Sequence, residues 1–379
     1  MNILYTESSR NIGGQEFQAV AQMVAMKRAG HQVMLACREN SGIAEEAAKH
    51  GLRIMYIPFR NSLHLPSVCA LRREIRSFCP DIAVCHSGHD SNIVALTRAT
   101  LPGRAGRFCI IRQKTYLTCK LRIFSLNHMC DAIVVPSRAM KQALEQAGCQ
   151  RHIRVIPPGF DFERLHQELA LPLPAHVQHW LNARDDVPVI VQAGMLRPEK
   201  GHDFMLNILS RLKQEGYRFR WLIAGSGRPE EEEKLRAGIV RRGMEDNVLM
   251  CGRLVPLAPV WQVASLMVMP SRHESFGMVV AEAAGCGIPV IASDVGGIPE
   301  IIQHGWTGTL LPPDDPEAWS DALRAFFDEP GPYLDMAYRA RKDMDRCFDI
   351  KHTIQKLLST GELYKSINRE LLSLFNSKT

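Results

Sequence analysis

Short apolar runs typical of buried strands alternate with helical patterns along most of the chain, and this alternation is the feature that most constrains its fold. Alternating strands and helices predict parallel sheets that are covered by helices. The alternation stops between residues 157 and 188, where five prolines interrupt any regular period, as is typical of an interdomain linker. A chain of 379 residues is long enough for two such domains. We therefore predict two doubly wound α/β domains, in which ligands bind at the carboxyl ends of the strands.

Individual runs locate the predicted elements. The strands of the first domain are predicted at Ile3–Thr6, Arg53–Ile57, Ile82–Cys85, Arg107–Arg112, Ala132–Pro136 and Ile153–Ile156. Those of the second domain are predicted at Val189–Ala193, Arg220–Ala224, Val248–Met250, Leu266–Met269, Val290–Ala292 and Thr309–Leu311. The helical patterns of the second domain cover Phe204–Gln214, Glu230–Arg242, Phe276–Ala284 and Pro316–Phe327, and residues 350–376 predict a last helix.

Charge is distributed unevenly between the two halves. Residues 1–165 hold 22 Lys and Arg against 12 Asp and Glu, whereas the remainder holds 24 against 28. A basic first half suits an anionic partner, although a generally basic surface with no partner has the same composition. The amino terminus lacks the basic segment and long apolar run of a signal peptide, and we find no apolar run long enough to span a bilayer. These features predict a cytoplasmic protein.

The segment from Pro270 to Glu282 carries the strongest chemical signal. An apolar strand ends at Pro270, a polar loop follows, and a helix is predicted to begin near Phe276. Glu274 therefore lies at a strand's carboxyl end, and Glu282 lies about two turns into the helix. Free N–H groups near Ser275, Phe276 and Gly277 would suit a phosphate, with a carboxylate on either side to bind sugar hydroxyls. An acid before a helix and an exposed helical glutamate are also common without any function.

Seven segments along the chain give the spacing between Glu274 and Glu282 its context. They are Gly13-Gly14-Gln15-Glu16, Val155–Asp161, Ala193–Gly201, Ala224–Gly227, Cys251–Leu254, Pro270–Glu282 and Ala292–Glu300. The set resembles the motifs of family 4 of the retaining glycosyltransferases, which includes a Glu-x7-Glu signature. The resemblance covers roughly residues 1–325. It implies the GT-B fold: two facing Rossmann-like domains, here 1–165 and 166–351, with a central cleft and a last helix, here 352–379, that crosses back to the first domain.

The resemblance also implies how the donor is bound. Arg197 and Lys200 would clamp the donor diphosphate, Glu282 would hold the ribose hydroxyls, and Glu274 would hold the transferred sugar, with retention of anomeric configuration. No metal or other cofactor is expected, because the two cations replace one, and Asp343-Met344-Asp345 fits a solvated helix face better than a magnesium site. The remaining donor-binding residues implied are Gly13, Gly14, Gly225, Gly227, Arg253, Leu254, Ser275, Phe276 and Gly277.

The first-domain pocket is less typical of the family. The loop with His86, Ser87 and Asp90 resembles the His-Ser-x-x-Asp-Ser loop of a bacterial surface-polysaccharide subgroup, which implies an acceptor or sugar pocket. A metal site at His86 and His89 is disfavoured because no distant ligand is identifiable. After the next predicted strand the subgroup often has Arg-x-Arg-His, but this chain has Arg112-Gln113-Lys114-Thr115. Thr115 cannot replace the acid–base chemistry of a histidine.

The partners implied are a nucleotide-diphosphate sugar and an anionic glycan or lipid-linked acceptor, as in lipopolysaccharide synthesis, and not nucleic acid. Two basic segments, Leu71–Arg76 and Cys119–Phe124, are candidate contacts with the cytoplasmic face of the inner membrane, or else ordinary helix faces. A nucleotide-sugar epimerase on the same fold and a non-catalytic nucleotide-sugar-binding protein remain alternatives.

Overall fold

A computed structural model of the chain describes residues 1–116, 123–182 and 187–376. The chain divides into two compact units, one formed by Met1–Gly159 with Phe348–Thr379 and the other by Phe160–Cys347. Within the described residues each unit contains one fully parallel sheet, with seven strands in the first unit and six in the second. The prediction of two Rossmann-like α/β domains is confirmed.

The first unit follows the predicted strand–helix alternation. Its elements are β1 (Asn2–Glu7), α1 (Gly14–Arg28), β2 (Gln32–Cys37), α2 (Gly42–Lys49), β3 (Arg53–Tyr56), α3 (Leu65–Phe78), β4 (Ile82–Cys85), α4 (Gly88–Ala99), β5 (Cys109–Gln113), α5 (Ile123–His128), β6 (Ala132–Val135), α6 (Arg138–Gln146) and β7 (Ile153–Val155). The order across the sheet is β3-β2-β1-β4-β5-β6-β7, so β1, β4 and β5 are adjacent and central.

The second unit repeats the pattern. Its elements are α7 (Phe162–Leu169), α8 (Ala175–Asn182), β8 (Val189–Ala193), α9 (His202–Gln214), β9 (Arg220–Ala224), α10 (Pro229–Arg241), β10 (Val248–Gly252), α11 (Ala258–Val263), β11 (Leu266–Met269), α12 (Met278–Gly285), β12 (Val290–Ser293), β13 (Thr309–Leu311), α13 (Pro316–Asp328) and α14 (Gly331–Cys347). The sheet order is β10-β9-β8-β11-β12-β13, which places β8 beside β11 at the centre.

The last helix, α15 (Ile350–Asn376), belongs to the first unit. Ile350, Ile354 and Leu357 are buried in the core on the side of the sheet that α1 also covers. Gly159 makes this possible, because a Cβ there would lie 2.5 Å from the Cα of Ile350. Among the described residues, no helix is both long and apolar enough to cross a bilayer.

The structure corrects the expected linker and adds a strand that was not predicted. The expected linker at 157–188 contains α7 and α8, and Phe162 of α7 packs against Gly285 in the second unit. The strand β2 was not predicted, although it lies beside β1 in the sheet. The other predicted strands are present, with ends that differ by two residues or fewer.

Candidate functional site

The carboxyl edge of the second sheet brings Lys200 and Glu274 together. Lys200 ends a single 3₁₀ turn, Pro198–Lys200, that follows β8, and Glu274 lies in the loop after β11. Nζ of Lys200 donates a hydrogen bond to Oε2 of Glu274. Both side chains are mostly buried, at 16% and 15% exposure, so the charge of each compensates the other.

One main-chain bond joins the two loops, and a side chain of β8 holds the loop with Lys200. The N–H of Arg272 donates to the carbonyl of Glu199 at 2.8 Å, and Nε2 of Gln192 donates to the carbonyl of Lys200 at 2.9 Å. Arg197 lies on the same loop as Lys200 but is 54% exposed, with its guanidinium 3.7 Å from Glu199. The loop therefore carries one mostly buried cation, Lys200, and one exposed cation, Arg197.

A cavity of about 180 Å³ opens beside Arg197, lined also by Gly201, Lys234 and Arg272. Neither Glu274 nor Glu282 lines it. Its volume is below the usual range for ligand pockets, so it is not the nucleotide-sugar site by itself.

The glycines predicted to line the nucleotide pocket lie at the same edge. Gly225 follows β9, and its N–H donates to the carbonyl of Gly252 at 2.8 Å. A Cβ at Gly225 would lie 1.8 Å from the carbonyl oxygen of Gly194, so this close approach requires glycine. Gly227 forms a bridge with Leu196, and the exposed Arg253 and half-buried Leu254 follow β10.

Glu282 lies closer to the helix start than predicted. Helix α12 begins at Met278, after Gly277 in the left-handed conformation, and not near Phe276. Glu282 is therefore about one turn into the helix, whereas Phe276 is buried before it. Burial raises the pKa of Glu282 to about 7, and nearby Glu168 adds to the shift.

Three buried polar atoms at this edge have no hydrogen-bond partner among the described residues. They are Oε1 of Gln192, Oγ of Ser271 and Oγ of Ser293, at the ends of the adjacent strands β8, β11 and β12. Unpaired polar atoms inside a protein are costly, and they concentrate where a ligand or water supplies the missing partner. A polar residue at the end of an apolar run was the sequence signal for these positions.

In the first unit, Asp90 is the centre of a buried polar cluster at the ends of β1 and β4. Its carboxylate accepts hydrogen bonds from the N–H groups of His86, Ser87 and Ser91 and from the hydroxyls of Thr6 and Ser87, at 2.8 to 3.2 Å. Asp90 thus fixes the loop that starts α4. Nδ1 of His86 donates to the carbonyl of Thr6 at 3.1 Å, and burial lowers the pKa of His86.

Two cations at the end of β5 lie beside this cluster. The guanidinium of Arg112 approaches Asp90 at 3.7 Å, while its Nε and Nη1 have no hydrogen-bond partner in the part of the chain that the structure describes. The ammonium of Lys114 lies 4.8 Å from the ring centre of Tyr116. Burial and the neighbouring Arg112 lower the pKa of Lys114 to about 8.

A second carboxyl cluster, not predicted from the sequence, surrounds the glycine-rich loop. Glu7 ends β1 and accepts from Nε2 of Gln15 at 2.7 Å, and the hydroxyl of Thr115 donates to Oε1 of Gln15. Burial, Asp90 and Glu16 raise the pKa of Glu7 to about 8, against the lowering effect of its hydrogen bonds. The signal for this cluster was an acid directly after an apolar strand.

His89 was considered as a metal ligand, and two basic segments were considered as membrane contacts. His89 pairs with Ser62, and among the described residues no three His, Cys, Asp or Glu side chains form a group that could hold a metal ion. In Leu71–Arg76 the apolar residues Leu71 and Ile75 are buried in the core. Residues 119–122 of the second basic segment lie outside the described residues, and Phe124 is 72% exposed.

Curated relatives carry names from one class of enzyme. A D-inositol 3-phosphate glycosyltransferase of Xylanimonas cellulosilytica is 33% identical over 56% of this chain and 52% of its own length. An alpha-D-kanosaminyltransferase of Streptomyces kanamyceticus is 31% identical over 38% of each. The chain spans about half the length of the first relatives that it matches.

Solved structures share the fold of the whole chain. The Anabaena protein HepE, solved with UDP and glucose, superposes with a TM-score of 0.79 at 19% identity, covering 94% of this chain and 98% of HepE. Sucrose-phosphate synthase of Thermosynechococcus elongatus superposes with a TM-score of 0.76 at 20% identity, covering 97% of this chain and 99% of that one. These likenesses establish the fold.

Two family models match the chain, one in each unit. The model described as Glycosyltransferase Family 4 matches residues 12–164, and the model described as Glycosyl transferases group 1 matches residues 187–329. Together they span most of both units. The chain therefore combines a domain of glycosyltransferase family 4 with a domain of the glycosyl transferases group 1.

Proposed function

We propose that this chain is a retaining, metal-independent glycosyltransferase that moves a sugar from a nucleotide-diphosphate sugar to an anionic glycan or lipid-linked acceptor. The observation that carries the proposal is the Lys200–Glu274 pair at the carboxyl ends of two adjacent central strands. Arg197 lies on one of the two loops, and α12 with Glu282 follows the other. The family, the names of the relatives and the UDP bound by HepE support a nucleotide-sugar donor.

In this proposal the donor's diphosphate binds Arg197 and Lys200. Glu274 then binds hydroxyls of the transferred sugar, and ionised Glu282 binds those of the ribose. The polar cluster of the first unit, at His86, Ser87, Asp90, Arg112, Lys114 and Thr115, forms the acceptor or sugar pocket. The backbone at Gly225, Gly227, Arg253, Leu254, Ser275, Phe276 and Gly277 completes the donor site of the second unit, and the loop with Gly13 and Gly14 borders the polar cluster of the first unit.

The reaction needs positioned charge more than a general base. The bond between the anomeric carbon and the diphosphate oxygen breaks, and the acceptor oxygen attacks from the same face. The proton of the acceptor hydroxyl passes to the departing diphosphate oxygen. Arg197 and Lys200 stabilise the negative charge on that oxygen, the role that a divalent cation has in other transferases.

The charge of the first half of the chain supports an anionic acceptor. Residues 1–165 hold 22 Lys and Arg against 12 Asp and Glu. We propose an intermediate of lipopolysaccharide or surface-polysaccharide synthesis at the cytoplasmic face of the membrane. Binding to anionic vesicles that is lost in high salt supports this location, and salt-insensitive or absent binding contradicts it.

A donor screen tests the function. UDP-, GDP-, ADP- and TDP-sugars are tested for a thermal shift and for sugar release with and without acceptor extracts. One donor should raise the melting temperature, and Lys200→Ala should lower its turnover by roughly 100-fold or more. Lys213→Ala is the matched control, since Lys213 lies on α9 and bonds the carbonyl of Gly243. Sugar-nucleotide rearrangement without acceptor identifies an epimerase, and binding without any release identifies a binding protein.

A further inference from the structure

Two buried carboxyl groups hold the loop between β1 and α1 at its two ends. Glu7, which is 1% exposed, accepts the N–H of Ser9 at 2.8 Å. Glu16, in the first turn of α1, accepts the N–H of Gly13 at 2.7 Å. The conformation of the loop therefore depends on where these two carboxyl groups lie.

Gln15 joins the two carboxyl groups. Its Nε2 lies 2.7 Å from Oε2 of Glu7 and 3.5 Å from Oε1 of Glu16. An amide nitrogen has two hydrogens to donate, so one Gln15 side chain serves both acids.

Thr115 reaches the other end of the same amide from across the chain. Its hydroxyl donates to Oε1 of Gln15, a contact between residues 100 positions apart. A hydroxyl donor at this oxygen favours the orientation in which the amide nitrogen faces Glu7 and Glu16. The chain of contacts therefore runs from the end of β5, through Thr115 and Gln15, to both ends of the loop.

We propose that Thr115 and Gln15 are positioning residues, which fix the glycine-rich loop in the geometry that sugar transfer requires. This inference rests on the proposed function, the transfer of a sugar from a nucleotide-diphosphate sugar. Thr115 acts through Gln15 and needs only its hydroxyl. At this position the resembled subgroup often has a histidine, so the residue has a positioning role here instead of an acid–base one.

Kinetics of four variants and one control variant test whether Thr115 acts through Gln15. Thr115→Val keeps the side-chain size but removes the hydroxyl, and should lower kcat/KM for the donor about tenfold, the effect of one lost hydrogen bond. Thr115→Ser should recover most of that loss. Gln15→Met should lower kcat/KM at least as far, and adding Thr115→Val to it should cause little further change. Thr100→Val, which removes a hydroxyl bonded to the carbonyl of Thr97, is the control.

Limited trypsin digestion provides a readout that needs no activity. Arg10 is exposed in the loop, so cleavage after it reports how often the loop opens. Thr115→Val and Gln15→Met should release the peptide 1–10 several-fold faster than the wild type, and Thr115→Ser should not.

Two results overturn the proposal. One is equal cleavage of Thr115→Val and the wild type, and the other is a fully additive loss of kcat/KM in the double variant. A wild type that binds a donor but transfers no sugar refutes the proposed function alone, while the digestion still decides whether Thr115 and Gln15 hold the loop.

Discussion

A methyl group at Gly296 should disturb the candidate donor site, whereas the same group at Gly305 should not. Both glycines lie in the second unit and have positive φ angles, 57° and 72°. An added Cβ at Gly296 would lie 1.7 Å from the carbonyl oxygen of Glu274, and one at Gly305 would meet no atom within 4 Å. The pair therefore separates backbone strain from a clash at the site.

The two costs can be worked from these contacts. Alanine in the left-handed region costs about 1–2 kcal/mol, and this is the whole effect expected for Gly305→Ala. Gly296→Ala must also move the Glu274 carbonyl by more than an ångström, which adds about 1–3 kcal/mol as overpacking. The 3.3 Å hydrogen bond from the N–H of Gly297 to that carbonyl is lost as well, which adds about 1 kcal/mol. The expected total is about 3–6 kcal/mol.

Urea unfolding measures the cost, and calorimetric titration with the donor measures the consequence for the site. Gly296→Ala should bind the donor at least about tenfold more weakly, because displacement of Glu274 separates it from Lys200. Gly305→Ala should bind it like the wild type. If both variants lose the same stability and keep the same affinity, the contact between Gly296 and Glu274 does not hold the site, and the reasoning fails.

Three further predictions follow from single side chains. His202 is buried, and burial is the main cause that lowers its pKa to about 4. The free energy of unfolding should therefore fall by up to about 3 kcal/mol as the pH drops from about 6.5 towards 4. In His202→Gln, urea unfolding should show a smaller fall over the same pH range. Asp90→Asn should cost about 3–5 kcal/mol, because it removes acceptors and leaves Arg112 without its counter-charge, whereas Asp343→Asn on the surface of α14 should change unfolding by less than about 0.5 kcal/mol. Donor affinity should rise as the pH increases through about 7, because Glu282 ionises there, and calorimetric titration of Glu282→Gln with the donor should show no such rise.

Strands in the second unit could be predicted because their apolar runs end sharply in turn residues. The run Val189–Ala193, for example, ends at Gly194, and the strand has the same limits in the structure. The omitted strand β2 is a continuous apolar run, which periodicity alone does not distinguish from a buried helix segment. The prolines between 157 and 188 were read as a linker, yet Pro174 directly precedes α8, where a proline is compatible with a helix start.

Contacts between residues far apart in the sequence limit how much of the candidate sites could be predicted. Glu274 and Lys200 could be named from the sequence because each follows a strand at a motif that resembles one family. Nothing in the sequence could show that Thr115 bonds Gln15, because the contact joins residues 100 positions apart. The motif Gly13-Gly14-Gln15-Glu16 was interpreted only through its two donor-binding glycines, whereas in the structure Gln15 bonds Glu7 and Glu16 accepts the N–H of Gly13.

The ion pair between Lys200 and Glu274 constrains how a donor can bind. Each group satisfies the other inside a mostly buried environment. A diphosphate that approaches Lys200 offers it a second anion, and the charge that Lys200 shares with the diphosphate is no longer available to Glu274. Glu274 then needs new donors, because an unpaired buried carboxylate is costly, and sugar hydroxyls can supply them. Binding of the diphosphate and recognition of the sugar should therefore be coupled, so that a nucleotide diphosphate and a free sugar each bind more tightly when the other is present.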